Sequence, residues 1–171
     1  MIEKILLSIA VIISIISISL ILTYHPEIEI QIFQIPNLSL NEYEKVNDID
    51  VSFEGNYAII TLYANCYKLQ AYVEDVQGKS ILNGKLKKRD IRPNSHDIVK
   101  DIFEEFGIEV LDVRITRLEN NTYFAEIDIK QKKKLISVDI RPSDGIAIAL
   151  RTDAPIYIKK ELLKEKGEKI C

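Results

Sequence analysis

The chain has 171 residues, of which 47% are apolar and 29% charged, and its net charge is −3. This composition excludes an intrinsically disordered chain. Outside residues 1–40, 22 basic side chains stand against 23 acidic ones, whereas a protein devoted to duplex DNA carries a strong basic excess. The charge balance therefore argues against tight non-specific DNA binding and leaves only a local basic groove open.

The first predicted element is a membrane anchor over residues 1–24. Its centre, residues 5–22 with the sequence ILLSIAVIISIISISLIL, contains no charge. As a helix that rises ~1.5 Å per residue, this run spans about 27 Å, close to the thickness of the bilayer hydrocarbon. A cleaved signal peptide and a buried soluble helix are the alternatives, but no small-residue cleavage site follows the run. Lys4 precedes the run and the next lysine or arginine is Lys45, so the positive-inside bias predicts a single-pass protein of the cell membrane with an extracytoplasmic domain.

Residues 25–47 are predicted to be a linker that contains one strand. Glu27–Ile35, EIEIQIFQI, alternates polar and apolar residues as a strand does, and such an edge could pair with a second subunit. Pro36–Lys45 is polar and is predicted to be a linker. The remaining residues, 48–171, are predicted to form one domain.

The domain begins with three predicted strands and one weakly patterned helix. The first two strands flank Gly55-Asn56, a pair suited to positive φ and therefore to a hairpin turn. In chain order these strands cover residues 49–54, 57–64 and 67–73, and the helix covers Asp75–Leu86.

A second helix is predicted to begin at Asn94 or Ser95 and to end near Phe106, with Gly107 as a left-handed residue that closes it. Three alternating strands follow, at residues 108–118, 123–129 and 135–140. The turn after Leu118 contains Asn120-Asn121, which tolerates left-handed backbone.

The last part of the domain contains a short helix, a strand and an amphipathic helix, at residues 145–151, 156–158 and 159–167. Ser143 or Asp144 is expected to cap the short helix, and Pro155 is expected to stop it. The whole pattern predicts an α+β fold with a mostly antiparallel sheet and three to four helices, preceded by a single N-terminal transmembrane helix.

Cys66 and Cys171 are the only cysteines of the sequence, and no metal-ligand spacing such as C-x-x-C occurs. A disulfide between them is one interpretation, open to a domain in an oxidising compartment. Because Cys171 is the last residue and chain ends are usually mobile, the prediction is a semi-buried thiol at Cys66 and a frayed end.

The tetrapeptide Asp-Ile-Arg-Pro occurs twice, at Asp90–Pro93 and Asp139–Pro142, each time before a predicted helix. Proline suits the first turn of a helix, and the free N–H groups there attract phosphate. An arginine just upstream can add a bidentate phosphate contact. We therefore predict that Arg92, Arg141 and Ser143 bind phosphate.

Four titratable residues near these motifs are candidate catalytic residues: His96, Asp97, Asp139 and Asp144. An imidazole titrates near neutral pH, so His96 is a candidate general base or acid. Carboxylates are the ligands of hard divalent cations, so Asp97 and Asp144 are predicted to hold Mg²⁺ or Mn²⁺.

A structural interpretation of the same residues stays open. Ser143 and Asp144 are ordinary helix N-caps, and Asp97 in a first helical turn favours the helix dipole without any chemistry. Arg141 can form an ion pair with Asp144 or Asp139.

Two stretches carry a resemblance to a known family. VDIRPSDGIAIALRTDAPIYI, Val138–Ile158, and IRPNSHDIVKDIFEEFG, Ile91–Gly107, resemble the two signatures of the bifunctional nuclease (BFN) domain family. The resemblance covers about Asp50–Gly167. It implies an α+β fold, a tendency to form homo-oligomers and, as in some plant members, nuclease activity on RNA and DNA. It brings no agreed catalytic residues.

The sequence departs from the family pattern at several positions. The usual Glu-Ala pair of the first helix is Gln77-Gly78 here, a threonine is Ser95, and an alanine is Gly145. If the missing glutamate were a metal ligand, a site borrowed from the family would be incomplete.

Two functions follow from these observations. The first is a membrane-anchored, metal-assisted nuclease that cleaves phosphodiester bonds in single-stranded RNA or DNA. The second is a non-catalytic oligomeric module that binds or assembles at the membrane, which the near-neutral charge of the domain favours.

Overall fold

The computed structural model describes Leu40–Cys171 together with Ser14 and Ser19. Apart from Ser14 and Ser19, the predicted anchor at residues 5–22 lies outside these residues, as does the predicted strand Glu27–Ile35, and both stay predictions. Among the residues that are described, no helix is long and apolar enough to cross a membrane.

In the described range Leu40–Cys171, nine strands form two sheets, where the sequence pattern predicted one. The five-stranded sheet has the order β1-β8-β5-β6-β7, and the four-stranded sheet has the order β2-β3-β4-β9. Within the described sheets all strand pairs are antiparallel except β5 with β8. In chain order the strands are β1 Tyr43–Lys45, β2 Asp48–Glu54, β3 Tyr57–Ala64, β4 Tyr67–Glu74, β5 Glu109–Glu119, β6 Thr122–Gln131, β7 Lys134–Ile140, β8 Ile156–Lys159 and β9 Glu168–Lys169.

From Leu40 onward, four α-helices accompany the sheets: α1 Asp75–Lys85, α2 Ser95–Glu105, α3 Pro142–Thr152 and α4 Lys160–Lys166. The α+β class and the number of helices are therefore confirmed. The linker prediction was wrong for Tyr43–Lys45, which pairs with β8 as an edge strand.

The predicted turns and the end of α2 are confirmed. Gly55 has a φ of 58°, and Asn120 and Asn121 have φ values of 47° and 60°. Gly107 has a φ of 62° and donates its N–H to Glu104, while the next N–H reaches the Phe103 carbonyl at 2.7 Å. These two bonds are the Schellman arrangement that closes a helix.

Helix α3 begins earlier than predicted. It starts at Pro142 and not at Gly145, its N-cap is Arg141, and no side chain of Ser143 or Asp144 caps it. Proline in the first turn replaces the side-chain cap, because it has no N–H that needs a partner. The helix ends at Thr152, before left-handed Asp153, so Pro155 is not the residue that stops it.

One core receives side chains from both sheets and from α1, α3 and α4. Helix α1 packs on β2 and β3, α3 packs on β5 and β6, and the two helices pack on each other. Glycine permits these close approaches: a Cβ atom on Gly78 would lie 2.2 Å from the Ala58 Cβ, and one on Gly84 would lie 3.3 Å from the Ala147 carbonyl oxygen.

The prediction of a free Cys66 and a frayed end was wrong. Cys66 and Cys171 form a disulfide across 105 residues, with their Cα atoms 5.1 Å apart. Strand β9 pairs with β4, and the Ile170 N–H donates to the Cys66 carbonyl at 2.9 Å. This pairing carries the last residue to Cys66, which a reading of local sequence cannot detect.

The disulfide should contribute a large share of the stability. A bond that closes a loop of about 100 residues stabilises a protein by up to about 4.7 kcal/mol in the chain-entropy estimate. We expect Cys171→Ser to lower the free energy of unfolding, measured by urea titration, by several kcal/mol. The wild type in reductant should match the variant, and equal stability of oxidised wild type and variant would contradict the prediction.

Candidate functional site

Three of the predicted site residues, His96, Asp144 and Arg141, meet between the starts of α2 and α3. The Nε2 atom of His96 lies 3.2 Å from the Oδ1 atom of Asp144, and the Arg141 Nε donates to Asp144 Oδ2 at 2.7 Å. The exposed fractions of the three side chains are 14% for His96, 20% for Asp144 and 70% for Arg141. The ion pair with Asp144 raises the pKa of Arg141. A largely covered carboxylate thus lies between an imidazole and a guanidinium that reaches solvent.

The other nitrogen of His96 faces the protein interior. Its Nδ1 atom lies 2.9 Å from the hydroxyl of Ser80, a buried residue of α1. The Asn94 side-chain amide and Arg151 Nη2 also contact this hydroxyl, each at 3.2 Å. We call the set Ser80, His96, Asp144 and Arg141 the His96 cluster.

Asp97 lies next to the cluster but belongs to a buried ion pair. Arg151 Nε donates to Asp97 Oδ1 at 2.7 Å, and the Asn94 N–H donates to Oδ2 at 2.9 Å. Burial alone would raise the pKa of Asp97, but the hydrogen bonds from Arg151 and from the Asn94 backbone outweigh it and hold the pKa below its ordinary value. Asp97 is therefore a charged structural residue in this arrangement.

Arg151 joins three helices from its buried position on α3. Besides Asp97 on α2, its Nη1 atom donates to the backbone carbonyls of Ser80 on α1, at 3.0 Å, and of Ala147 on α3, at 2.8 Å. A fourth N–H bond reaches the Ser80 hydroxyl. This guanidinium fixes the relative positions of the three elements that carry the His96 cluster.

The three remaining predicted residues stand apart from the His96 cluster. Arg92 and Asp139 are exposed, and neither side chain has a hydrogen bond or ion pair with any residue from Leu40 onward. Ser143 is buried and lines a small apolar cavity with Ile81, Tyr123 and Ile146, among others. A hydroxyl placed in such a cavity is not presented to a phosphate.

The two helix N-termini are less open than predicted, because their own residues use most of the free amides. The Asn94 side chain accepts from the N–H groups of His96 and Asp97, and Asp97 completes a capping box. In α3, Pro142 has no N–H, and the amides of Asp144 and Gly145 both donate to the Arg141 carbonyl. Few bare amides are therefore left at either helix start.

The predicted cation ligands do not fit a shared metal ion. Both oxygens of Asp97 already accept hydrogen bonds, and Asp97 and Asp144 are bound by different arginines. Within the part of the chain that the structure describes, no group of three or more His, Cys, Asp or Glu side chains is arranged to hold a metal.

A second ion-pair cluster lies on the five-stranded sheet, away from α3. Arg114 donates to Asp112 at 3.1 Å and to Asp128 at 2.7 Å, and all three residues are buried. Burial, together with the charge of Asp128, raises the pKa of Asp112. No sequence-predicted residue takes part in this cluster.

Sequence reasoning missed Ser80 and Arg151, which orient His96 and Asp97. Arg151 lies in the second signature stretch, so its position was visible, but its role was not. Its partners are 54 and 71 residues away in the chain. A buried arginine at the end of an apolar helix is the signal that could have pointed to a fixed ion pair.

The Asp97–Arg151 pair should be essential for folding. Breaking a buried ion pair strongly destabilises a protein, by roughly 3–5 kcal/mol, because one charge is left buried and unpaired. We therefore expect Arg151→Met and Asp97→Asn each to lower the free energy of unfolding at pH 7 by about that amount in urea titrations. Asp101→Asn, which breaks the exposed Arg89–Asp101 pair, is the matched control and should cost far less.

The same pair has a defined pH dependence. Because the folded-state pKa of Asp97 is depressed, its stabilisation is present above the ordinary pKa of about 3.9 and is lost as the pH falls through the folded value. The stability deficit of Asp97→Asn should therefore shrink as the pH is lowered below about 4. A constant deficit between pH 7 and pH 3 would contradict the ion-pair assignment.

The sequence profile described as the bifunctional nuclease domain matches residues 64–170, more than half of this chain. An uncharacterised protein of Mycobacterium tuberculosis is 37% identical over 76 residues, which are 44% of this chain and 44% of that protein. Bifunctional nuclease 2 of Arabidopsis thaliana is 38% identical over 82 residues, 46% of this chain and 25% of the plant protein. Bifunctional nuclease 1 of Oryza sativa subsp. japonica is 33% identical over 82 residues. The chain spans less than half the length of each of these relatives.

Proposed function

The chain belongs to the bifunctional nuclease domain family, and we propose that it hydrolyses phosphodiester bonds of single-stranded RNA or DNA at the His96 cluster. The family match confirms the resemblance that the two signature stretches indicated. The plant relatives that carry the name bifunctional nuclease support the proposal of nuclease activity. Because the chain covers about a quarter of their length, activity and substrate are our proposal for this protein.

The observation that carries the proposal is the placement of Asp144. Its carboxylate lies within hydrogen-bond distance of both an imidazole and an exposed guanidinium. Arginine binds phosphate oxygens through charge-assisted, often bidentate hydrogen bonds, and the Nη atoms of Arg141 are not used by Asp144. The arrangement therefore brings a phosphate-binding group and a proton acceptor to one place.

In the proposed reaction, Arg141 holds a backbone phosphate while a water molecule attacks the phosphorus. A new P–O bond forms to the water oxygen, the water proton passes to the Asp144 carboxylate, and the bond from phosphorus to the leaving ester oxygen breaks. That oxygen takes a proton from solvent. The positive charge of Arg141 stabilises the charge that develops on the phosphoryl oxygens.

The proposed reaction uses no divalent cation, because both oxygens of Asp97 already accept hydrogen bonds and this residue is not placed as a metal ligand. The Mg²⁺ or Mn²⁺ predicted from the sequence remains a variable of the assay. Activity that disappears with chelator and returns with Mn²⁺ would support a metal-assisted reaction, and activity that survives chelation would oppose it.

The test is cleavage of labelled single-stranded RNA and DNA by the purified full-length chain. Removing a proton acceptor typically costs 10²–10⁴-fold in rate, so we expect Asp144→Asn to lose about that much. Arg141→Gln should lose roughly 10–100-fold, the value of a charged hydrogen bond of about 1.5–3 kcal/mol.

The matched control is Arg117→Gln. Arg117 is also partly exposed and paired with a nearby carboxylate, Glu119 at 2.9 Å, but it lies on β5 and outside the His96 cluster. Equal cleavage by wild type and Asp144→Asn would show that the activity resides elsewhere or belongs to a contaminant.

The second candidate function is a non-catalytic module that assembles with copies of itself, and one surface feature favours it. Ile98, Ile102 and Phe106 are exposed at intervals of four residues along α2. Two ion pairs, Arg89–Asp101 and Lys100–Glu104, neutralise charges near these side chains and so lower the repulsion between identical surfaces. An oligomer that dissociates on Ile102→Glu and cleaves no nucleic acid would favour this candidate over the nuclease.

We also propose that residues 5–22 anchor the protein in the cell membrane with its domain outside the cytoplasm. The uncharged run and Lys4 before it support the anchor and its direction. The Cys66–Cys171 disulfide supports the outer side, because disulfides persist in oxidising compartments and are rare in the cytosol.

The orientation can be tested by labelling a cysteine introduced at Lys133, in the exposed turn between β6 and β7. We expect a membrane-impermeant maleimide to label Lys133→Cys in intact cells as fully as in lysed cells. The unmodified chain is the control for background labelling. Labelling that requires lysis would place the domain in the cytoplasm.

A further inference from the structure

We infer that Ser80 fixes His96 in one tautomer, with the proton on Nε2, so that His96 is a positioning residue for Asp144 and not the general base. The tautomer follows from hydrogen-bond geometry alone. The assignment of Asp144 as the proton acceptor rests on the proposed function.

The first step concerns the Ser80 hydroxyl, which has one proton and two acceptor lone pairs. Arg151 Nη2 and Asn94 Nδ2 lie 3.2 Å away, and both are N–H donors without acceptor capacity. They occupy both lone pairs. The remaining contact of the hydroxyl, at 2.9 Å, is with His96 Nδ1. Ser80 must therefore donate its proton to Nδ1, which acts as the acceptor.

The hydrogen bonds of the Asn94 side chain show that its nitrogen, and not its oxygen, faces the Ser80 hydroxyl. Its Oδ1 atom accepts from the backbone N–H groups of His96 at 2.9 Å and Asp97 at 3.1 Å. A flipped amide would point NH₂ at two donors, so the nitrogen must face Ser80. Arg151 is equally constrained, because its Nε and Nη1 atoms are bound to Asp97 and to two backbone carbonyls.

The second step follows from the chemistry of imidazole. A neutral ring that accepts at Nδ1 carries its proton on Nε2, and Nε2 lies 3.2 Å from Asp144 Oδ1. His96 thus donates to Asp144, as Arg141 does to the other carboxylate oxygen. Neither ring nitrogen of His96 then has a lone pair for a substrate water, whereas each Asp144 oxygen keeps one.

Nuclear magnetic resonance of the ¹⁵N-labelled full-length chain tests the tautomer directly. The chain has two histidines, and His25→Gln leaves the His96 ring signals alone in the spectrum. Long-range ¹H–¹⁵N correlations at neutral pH should show a protonated Nε2 and an unprotonated Nδ1. A protonated Nδ1, alone or with Nε2, would overturn the inference.

A variant at Ser80 tests the cause. Ser80→Ala removes the O–H donor, so the His96 signals should change to a mixture of tautomers or to the Nδ1-protonated form. An unchanged Nε2–H tautomer in a folded Ser80→Ala protein would show that Ser80 does not set it. If this variant does not fold, the wild-type spectrum still decides the tautomer.

Activity separates the role of His96 from the proposed function. The glutamine amide can donate to Asp144 as Nε2–H does, but it cannot act as a base. We therefore expect His96→Gln to retain cleavage within about tenfold of wild type, whereas His96→Ala should lose more. If His96 were the general base, both variants would lose the 10²–10⁴-fold typical of such a group. A chain without nuclease activity but with the Nε2–H tautomer would refute the proposed function and leave the tautomer assignment standing.

Discussion

The guanidinium of Arg151 is the group on which the arrangement of helices depends. It is buried, and it binds a carboxylate on α2, a carbonyl and a hydroxyl on α1, and a carbonyl on its own helix. A charge taken out of water is tolerated only when its hydrogen-bonding groups are satisfied, which here requires all three helices at once. The positions of His96 and Asp144 follow from this requirement, because one lies at the start of α2 and the other at the start of α3.

Small residues make room for this group. Gly84 lies where α1 approaches α3, and a Cβ atom there would be 2.9 Å from Arg151 Nη1. Gly145, which departs from the family pattern, lies against Val113 of β5, where a Cβ atom would be 2.9 Å from a methyl group. The family departures at Gly78 and Gly145 are therefore explained by close packing of helices on strands. They are not losses from the His96 cluster.

The sequence left both a structural and a catalytic role open for Asp97 and for Asp144, and the structure separates the two residues. Asp97 is a structural residue, since it completes a capping box and pairs with Arg151. Asp144 was a candidate cap, yet it makes no cap hydrogen bond and lies instead between His96 and Arg141. Asp97 and Asp144 both follow an Arg-Pro pair near the start of a helix, yet their surroundings differ. Asp97 is bound by the buried Arg151, and Asp144 is bound by the exposed Arg141.

Local sequence determined most of the secondary structure, because hydrophobic period, turn residues and caps act over a few positions. The hairpin at Gly55, the Asn94 cap and the Gly107 helix end were all predictable in this way. The family was also visible in the sequence, through its two signature stretches. The anchor and the strand predicted within residues 1–39 rest on the sequence, because the structure describes only Ser14 and Ser19 there.

Tertiary structure decided which side chains meet. The Cys66–Cys171 disulfide and the contacts of the Ser80 hydroxyl with Asn94, His96 and Arg151 join residues 14 to 105 positions apart. The division of the strands into two sheets also depends on pairings between distant parts of the chain. No periodic pattern records such pairings, because they depend on how strands and helices pack. The sequence therefore named His96 and Asp144 as candidates, and only the packing of α1, α2 and α3 showed that these two belong together while Asp97, Arg92, Asp139 and Ser143 do not join them.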